Sequence, residues 1–154
     1  MAITLKQRAY AGLAFMAAGV IPVLIVGSML RPLPPSFAYL DYAVWFIATP
    51  LLITGINGAL LGAGILEPGV VKGAWVAILR GMLVSVVSFV SVCVMISAWD
   101  AYTNEYKNFR QTLMLSLIVG FMVAGWQATI VGMAAGWLLY KLRGSGQEKA
   151  RMAN

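Results

Sequence analysis

The sequence predicts an all-α integral membrane protein in which four transmembrane helices form a bundle. Hydrophobic residues make up 61% of the 154 residues and charged residues only 10%, whereas a soluble domain carries about 25% charged residues. The apolar residues fall into four long runs, and none has the short alternating pattern of a membrane strand. Lipid offers no water to bond the backbone, so continuous helices are the remaining solution.

Each run reaches the length of about 20 residues that a spanning helix needs. We expect one domain, 1–154, with spans over about residues 9–30, 42–66, 75–99 and 112–140 and a polar C-terminal tail over 143–154. Lys6 and Arg8 precede the first run as they would in a signal peptide. We nevertheless interpret this run as a retained span.

Helix-breaking and polar segments separate the runs. Prolines at 32, 34 and 35 end the first run, because proline lacks a backbone donor and stiffens the chain. Glu67-Pro68-Gly69 marks the turn after the second run, and the polar stretch 100–110 separates the third from the fourth. The connections are therefore short.

The basic residues predict the orientation. If the N-terminus lies inside, the inner side carries eight Lys and Arg residues and the outer side three, in agreement with the positive-inside rule. The inner set is Lys6, Arg8, Lys72, Arg80, Lys141, Arg143, Lys149 and Arg151, and the outer set is Arg31, Lys107 and Arg110. We expect both termini on the cytoplasmic or matrix face of a bacterial or mitochondrial inner membrane. These charges favour lipid headgroups as partners, and we expect no nucleic-acid binding.

Small residues recur at every fourth position of the last run. We call this series the small-residue stripe: Ser116, Gly120, Ala124, Ala128, Gly132 and Gly136. The second run has a shorter series, Thr54, Gly58 and Gly62. Small residues let helix backbones approach closely in lipid, so both series are predicted helix-packing interfaces. Two interpretations are open: packing inside the bundle, or docking of the last helix onto another subunit or a second copy.

Three polar side chains within or beside the runs are candidate intramembrane sites. Asn57 and Gln127 either bond across helices or line a polar pathway. Arg80 is interfacial if the third helix begins near Met82, and its side chain then reaches the headgroups. If the helix begins near Val70, Arg80 lies about 15 Å along it and needs a carboxylate, carbonyl or lipid phosphate as partner. We favour the interfacial placement.

The composition argues against catalysis. The chain has no histidine and a single cysteine, Cys93, which removes most familiar nucleophile, general-base and metal-ligand arrangements. We therefore expect no enzymatic activity, no catalytic residues, no metal and no cofactor. The predicted role is a non-catalytic subunit or assembly factor of a larger membrane complex, with membrane lipids, other transmembrane subunits or further copies as partners. The alternative is a small oligomeric channel, pore or transporter module.

Overall fold

The computed structural model describes residues 4–29, 47–67, 70–103 and 108–152. These residues form four helices and no strand, which confirms the predicted all-α fold for this part of the chain. Helix α1 is Leu5–Met29; α2 is Thr49–Asn57 continued by Gly58–Gly62 and Ala63–Ile65; α3 is Ala74–Thr103; α4 is Phe109–Gly120 continued by Phe121–Gly125 and Trp126–Met152.

Three of the helices are long and apolar enough to cross a membrane. The candidate spans are Leu5–Ile25 in α1, Ala74–Thr103 in α3 and Phe109–Gly144 in α4. The described apolar part of α2, Thr49–Ile65, is shorter. The predicted second span starts at residue 42, and residues 42–46 lie outside the described part.

The last helix continues further than the sequence predicts. The expected span ends at residue 140, yet α4 runs on to Met152, so the predicted polar tail is helical over 143–152. Its last residues, 153 and 154, lie outside the described part. The residues after Leu142 contain no proline, and Gln147, Glu148, Lys149 and Ala150 are good helix formers. The change from apolar to polar residues therefore does not end the helix.

Local sequence explains several helix features. Pro50 occupies the first turn of α2, where its missing N–H would have no partner in any case. The side chain of Asn108 caps α4 by accepting a hydrogen bond from the backbone N–H of Arg110 at 3.0 Å. One turn of α2 (Gly58–Gly62) and one of α4 (Phe121–Gly125) widen to π-helical bonding.

The four helices form a ring. Helix α1 contacts α2 and α4, and α3 also contacts α2 and α4. We call one end the basic end: it contains the start of α1, the end of α2, the start of α3 and residues 133–144 of α4. The opposite end is the far end. The buried hydrophobic core lies in the half of the ring at the basic end: Ala11, Phe15, Ala63, Ile65, Val71, Ala77, Val84, Ala135 and Leu139.

Candidate functional site

The small-residue stripe of α4 faces α3 of the same chain. At the basic end, Gly132 and Gly136 are both buried against α3. A Cβ atom on Gly132 would lie 2.7 Å from the carbonyl oxygen of Gly81, and one on Gly136 would lie 3.0 Å from the Cα atom of Gly81. Backbone therefore packs on backbone here, and any side chain at these positions would have to push the helices apart.

The shorter series on α2 faces α1. A Cβ atom on Gly58 would lie 2.6 Å from Cβ of Phe15, and the ring of Phe15 lies against Gly62. Phe15 has no exposed surface, so these two glycines provide the space for its ring. The third member, Thr54, donates its hydroxyl proton to the carbonyl oxygen of Pro50 at 2.7 Å.

Towards the far end, the stripe borders a cavity of about 510 Å³. All four helices line this cavity, with Phe15 to Val23 of α1 on one wall and Ser85 to Ile96 of α3 on another. Five stripe residues line it from α4: Ser116, Gly120, Ala124, Ala128 and Gly132. These positions therefore face the interior of the bundle.

The wall of the cavity is almost entirely hydrocarbon. None of its described lining residues is charged. Two of the hydroxyl groups on the wall have partners within the protein: Ser88 donates to the carbonyl oxygen of Val84 at 2.7 Å, and the Ser116 hydroxyl accepts from that of Ser97 at 3.4 Å. The cavity therefore offers few free polar groups to a ligand.

The two predicted intramembrane amides lie on different helices, Asn57 on α2 and Gln127 on α4. The Asn57 amide nitrogen donates to the hydroxyl oxygen of Ser88 at 3.3 Å and so joins α2 to α3. Gln127 has its side-chain oxygen buried without a hydrogen-bond donor in the described part of the chain. Neither residue lines the cavity.

Arg80 lies at a depth along α3 between the two that the sequence predicts. Helix α3 begins at Ala74, so Arg80 lies about 9 Å along it. Its guanidinium group lies against Gly64, in the last turn of α2, where a Cβ atom would collide with it. Gly64 thus provides the space that lets the arginine side chain lie beside the end of α2.

Arg143 has a structural contact that the sequence did not indicate. Its guanidinium group donates to the carbonyl oxygens of Ile65 and Glu67 at 3.3 and 3.2 Å, and to that of Val71 at 3.2 Å. Ile65 is the last residue of α2 and Glu67 lies two residues beyond it, where intrahelical donors run out. The same group lies 4.9 Å from the ring centre of Tyr140. Arg143 therefore ties α4 to the α2–α3 connection.

The described residues contain no group of three His, Cys, Asp or Glu side chains that could hold a metal ion. Glu67 is buried next to the α2–α3 turn, but its side chain forms no ion pair with any described residue. The site is thus a set of packed helix contacts, an apolar cavity and an arginine that bonds to backbone carbonyls. Together with the three long apolar helices, these features fit a helical membrane protein.

Comparison of the chain with protein-family models, with curated proteins and with solved structures finds no match.

Proposed function

We propose that this chain is a four-span inner-membrane protein, with both termini on the cytoplasmic or matrix side, that acts as a non-catalytic subunit or assembly factor of a larger membrane complex. The membrane assignment is supported by the three long apolar helices and by the many large hydrophobic side chains on the outside of the ring. The orientation is supported by Lys72, Lys141 and Arg143 near one end of the ring, as the positive-inside rule requires.

The proposal that the chain binds a partner helix rests on the position of Trp126. This residue lies at the middle of the predicted last span and is 49% exposed on the outside of the ring. Its indole N–H has no acceptor among the described residues. A buried or lipid-facing indole N–H usually has a hydrogen-bond partner, because leaving it unpaired in hydrocarbon costs free energy.

A partner helix supplies that acceptor in our proposal. The outward neighbours of Trp126 one turn away on each side are Met122, 74% exposed, and Ile130, 56% exposed. Together these three residues form a broad, irregular apolar face with one polar atom at its centre. Such a face suits a second transmembrane helix with a carbonyl or hydroxyl at the same depth.

The Trp126→Phe variant tests the partner assignment, because phenylalanine keeps an aromatic ring and removes the N–H. We expect it to weaken association by about 1 kcal/mol, the scale of a hydrogen bond between transmembrane helices. The measurement is the fraction of partner-bound protein by native mass spectrometry in a mild detergent. Trp75→Phe is the matched control, since Trp75 is 75% exposed near the basic end.

Two results would count against the proposal. The wild-type chain could run as a lone monomer when extracted gently from its own membrane, or both tryptophan variants could bind partners equally well. Crosslinking from a photoreactive residue at 122 or 130, with Val86 and Val90 on the outside of α3 as comparison sites, would map the contact directly.

The channel or transporter alternative gains no specific support from the geometry. A water-filled path through lipid is lined by polar or ionisable groups. None of the described residues that line the cavity is charged, and neither Asn57 nor Gln127 is among them.

A further inference from the structure

We propose that the cavity between the four helices binds one acyl chain of a membrane phospholipid. This proposal rests on membrane insertion and is independent of the partner that Trp126 contacts. The cavity lies in the half of the ring towards the far end, along the face of α3 from Ser85 to Ile96. This stretch of helix is about 16 Å long, close to half of a hydrocarbon core of about 30 Å.

The chemistry of the wall selects hydrocarbon over water. A water molecule in a cavity needs two to four polar partners, and apolar cavities without them stay dry. Here the hydroxyls of Thr54 and Ser88 already donate to backbone carbonyls in their own helices, at 2.7 Å each. Valine, isoleucine and phenylalanine side chains supply much of the remaining surface. A ligand without polar groups therefore loses no hydrogen bonds when it enters the cavity.

The size of the cavity fits a single chain. An apolar cavity of about 150 Å³ holds one benzene molecule of six carbons. The present cavity, at about 510 Å³, is more than three times larger and by the same scale holds roughly 18–20 carbons. The cavity is partly open to the outside of the bundle, so a lipid chain can enter it.

The wall is apolar and the cavity has the size of one acyl chain, so its occupant is hydrocarbon. In a bilayer, phospholipid chains are the hydrocarbon present at high concentration beside the helices, and we therefore assign the site to them.

Photolabelling of the full chain in lipid vesicles tests this assignment. The probe is a phosphatidylcholine with a diazirine near the end of one acyl chain, present as a small fraction of the vesicle lipid. Two sets of valines are compared by peptide mass spectrometry after illumination. Val92 and Val123 line the cavity, whereas Val86 and Val90 lie on the outside of α3. We expect adducts on both sets, the outer set from lipid that surrounds the protein.

Variants that fill the cavity distinguish labelling of the cavity valines from labelling of the outer valines. Ala124→Phe places a ring inside the cavity from α4, and Ala18→Phe does so from α1 as a second, independent variant. We expect either variant to lower labelling of Val92 and Val123 about tenfold, which corresponds to about 1.4 kcal/mol. Labelling of the outer valines stays unchanged. Ala134→Phe, at an exposed position of α4, is the matched control and leaves both sets unchanged.

Several results would overturn the proposal. Adducts confined to Val86 and Val90 would mean that no acyl chain enters. Labelling of Val92 that persists in both filling variants would place the chain elsewhere. Labelling of the cavity by a diazirine-bearing isoprenoid alcohol, but not by the phospholipid, would assign the site to another lipid class. If the outer valines also remained unlabelled, the failure would instead lie with membrane insertion.

Discussion

The two halves of the helix ring use small residues in opposite ways. Near the basic end, α3 and α4 touch backbone to backbone at Gly81, Gly132 and Gly136. Towards the far end, the same stripe continues through Gly120 and Ala124, but there it borders a cavity of about 510 Å³. One sequence pattern on one helix therefore produces close packing in one half of the molecule and open space in the other.

The opposing helix explains this difference. Near the basic end, the residues of α3 that face the stripe are themselves small: Ala77, Gly81 and Ser85. Further along, the ring of Phe89 faces Gly120, where a Cβ atom would lie 3.3 Å from the ring. A large ring keeps the helices apart, and small neighbours on α4 cannot fill the space beside it. The small residues of the stripe thus set the shortest possible distance between two helices. The side chains of the facing helix set the actual distance.

The largest expected effect is that of a side chain at the tight contact. Gly132→Leu forces the backbones of α3 and α4 apart, so we expect destabilisation of about 3 kcal/mol or more, the upper part of the range for overpacking. The measurement is reversible unfolding in mixed micelles. Gly120→Ala is the control in the open half, because only the ring of Phe89 has to move. Equal losses in the two variants would remove the distinction between the halves.

A matched pair of larger side chains on α4 sharpens the comparison. Ala135 lies in the core near the basic end and is 8% exposed, whereas Ala124 lines the cavity. We expect Ala135→Leu to cost about 2 kcal/mol through overpacking. Ala124→Leu fills empty space and should be neutral or stabilising by up to about 1 kcal/mol in lipid-free micelles. The same unfolding measurement applies, and a cost at Ala124 as large as that at Ala135 would show that the cavity is already closed.

A smaller effect is expected where Arg143 holds the basic end together. Arg143→Met removes the donors to the carbonyls of Ile65, Glu67 and Val71, and we expect a loss of about 1.5 kcal/mol, the low end for bonds to a charged group. Lys141→Met is the control, since Lys141 is exposed and interacts with the Trp137 ring, worth about 0.5 kcal/mol. Faster hydrogen exchange of the α2–α3 connection in the arginine variant alone would locate the effect. If both variants lose the same stability, the role assigned to Arg143 is wrong.

Composition and apolar run lengths predict the helical character of this chain well. In lipid every backbone group must bond internally, so a long apolar run leaves few alternatives to a helix. The predicted third span starts at about residue 75, although the sequence leaves the start of that helix open between Val70 and Met82, and α3 begins at Ala74. The continuation of α4 to Met152 was not predicted, because a change from apolar to polar composition was interpreted as the end of the helix.

The site itself depends on contacts between distant parts of the chain. The carbonyls that Arg143 binds lie 72 to 78 residues away in sequence, so no local pattern indicates them. The hydrogen bond between Asn57 and Ser88 could not be predicted from a local pattern either, although a bond across helices was one expected role of that amide. The cavity depends on which residue of α3 faces each position of α4, and that register follows from packing alone.

The central claim is that the stripe of the last helix faces α3 of its own chain, and a single substitution tests it most directly. A Cβ atom on Gly120 would lie 3.8 Å from the sulfur of Cys93, the only cysteine, so a cysteine sulfur attached to that Cβ atom comes within bonding reach of the Cys93 sulfur. On mild oxidation, we predict that Gly120→Cys forms a disulfide with Cys93 within one chain, seen as a monomer lighter by two hydrogens. Ile118→Cys, at a 60% exposed position of the same helix outside the cavity lining, should not. A disulfide-linked dimer of the Gly120→Cys variant would instead place the stripe against a second copy and contradict the account.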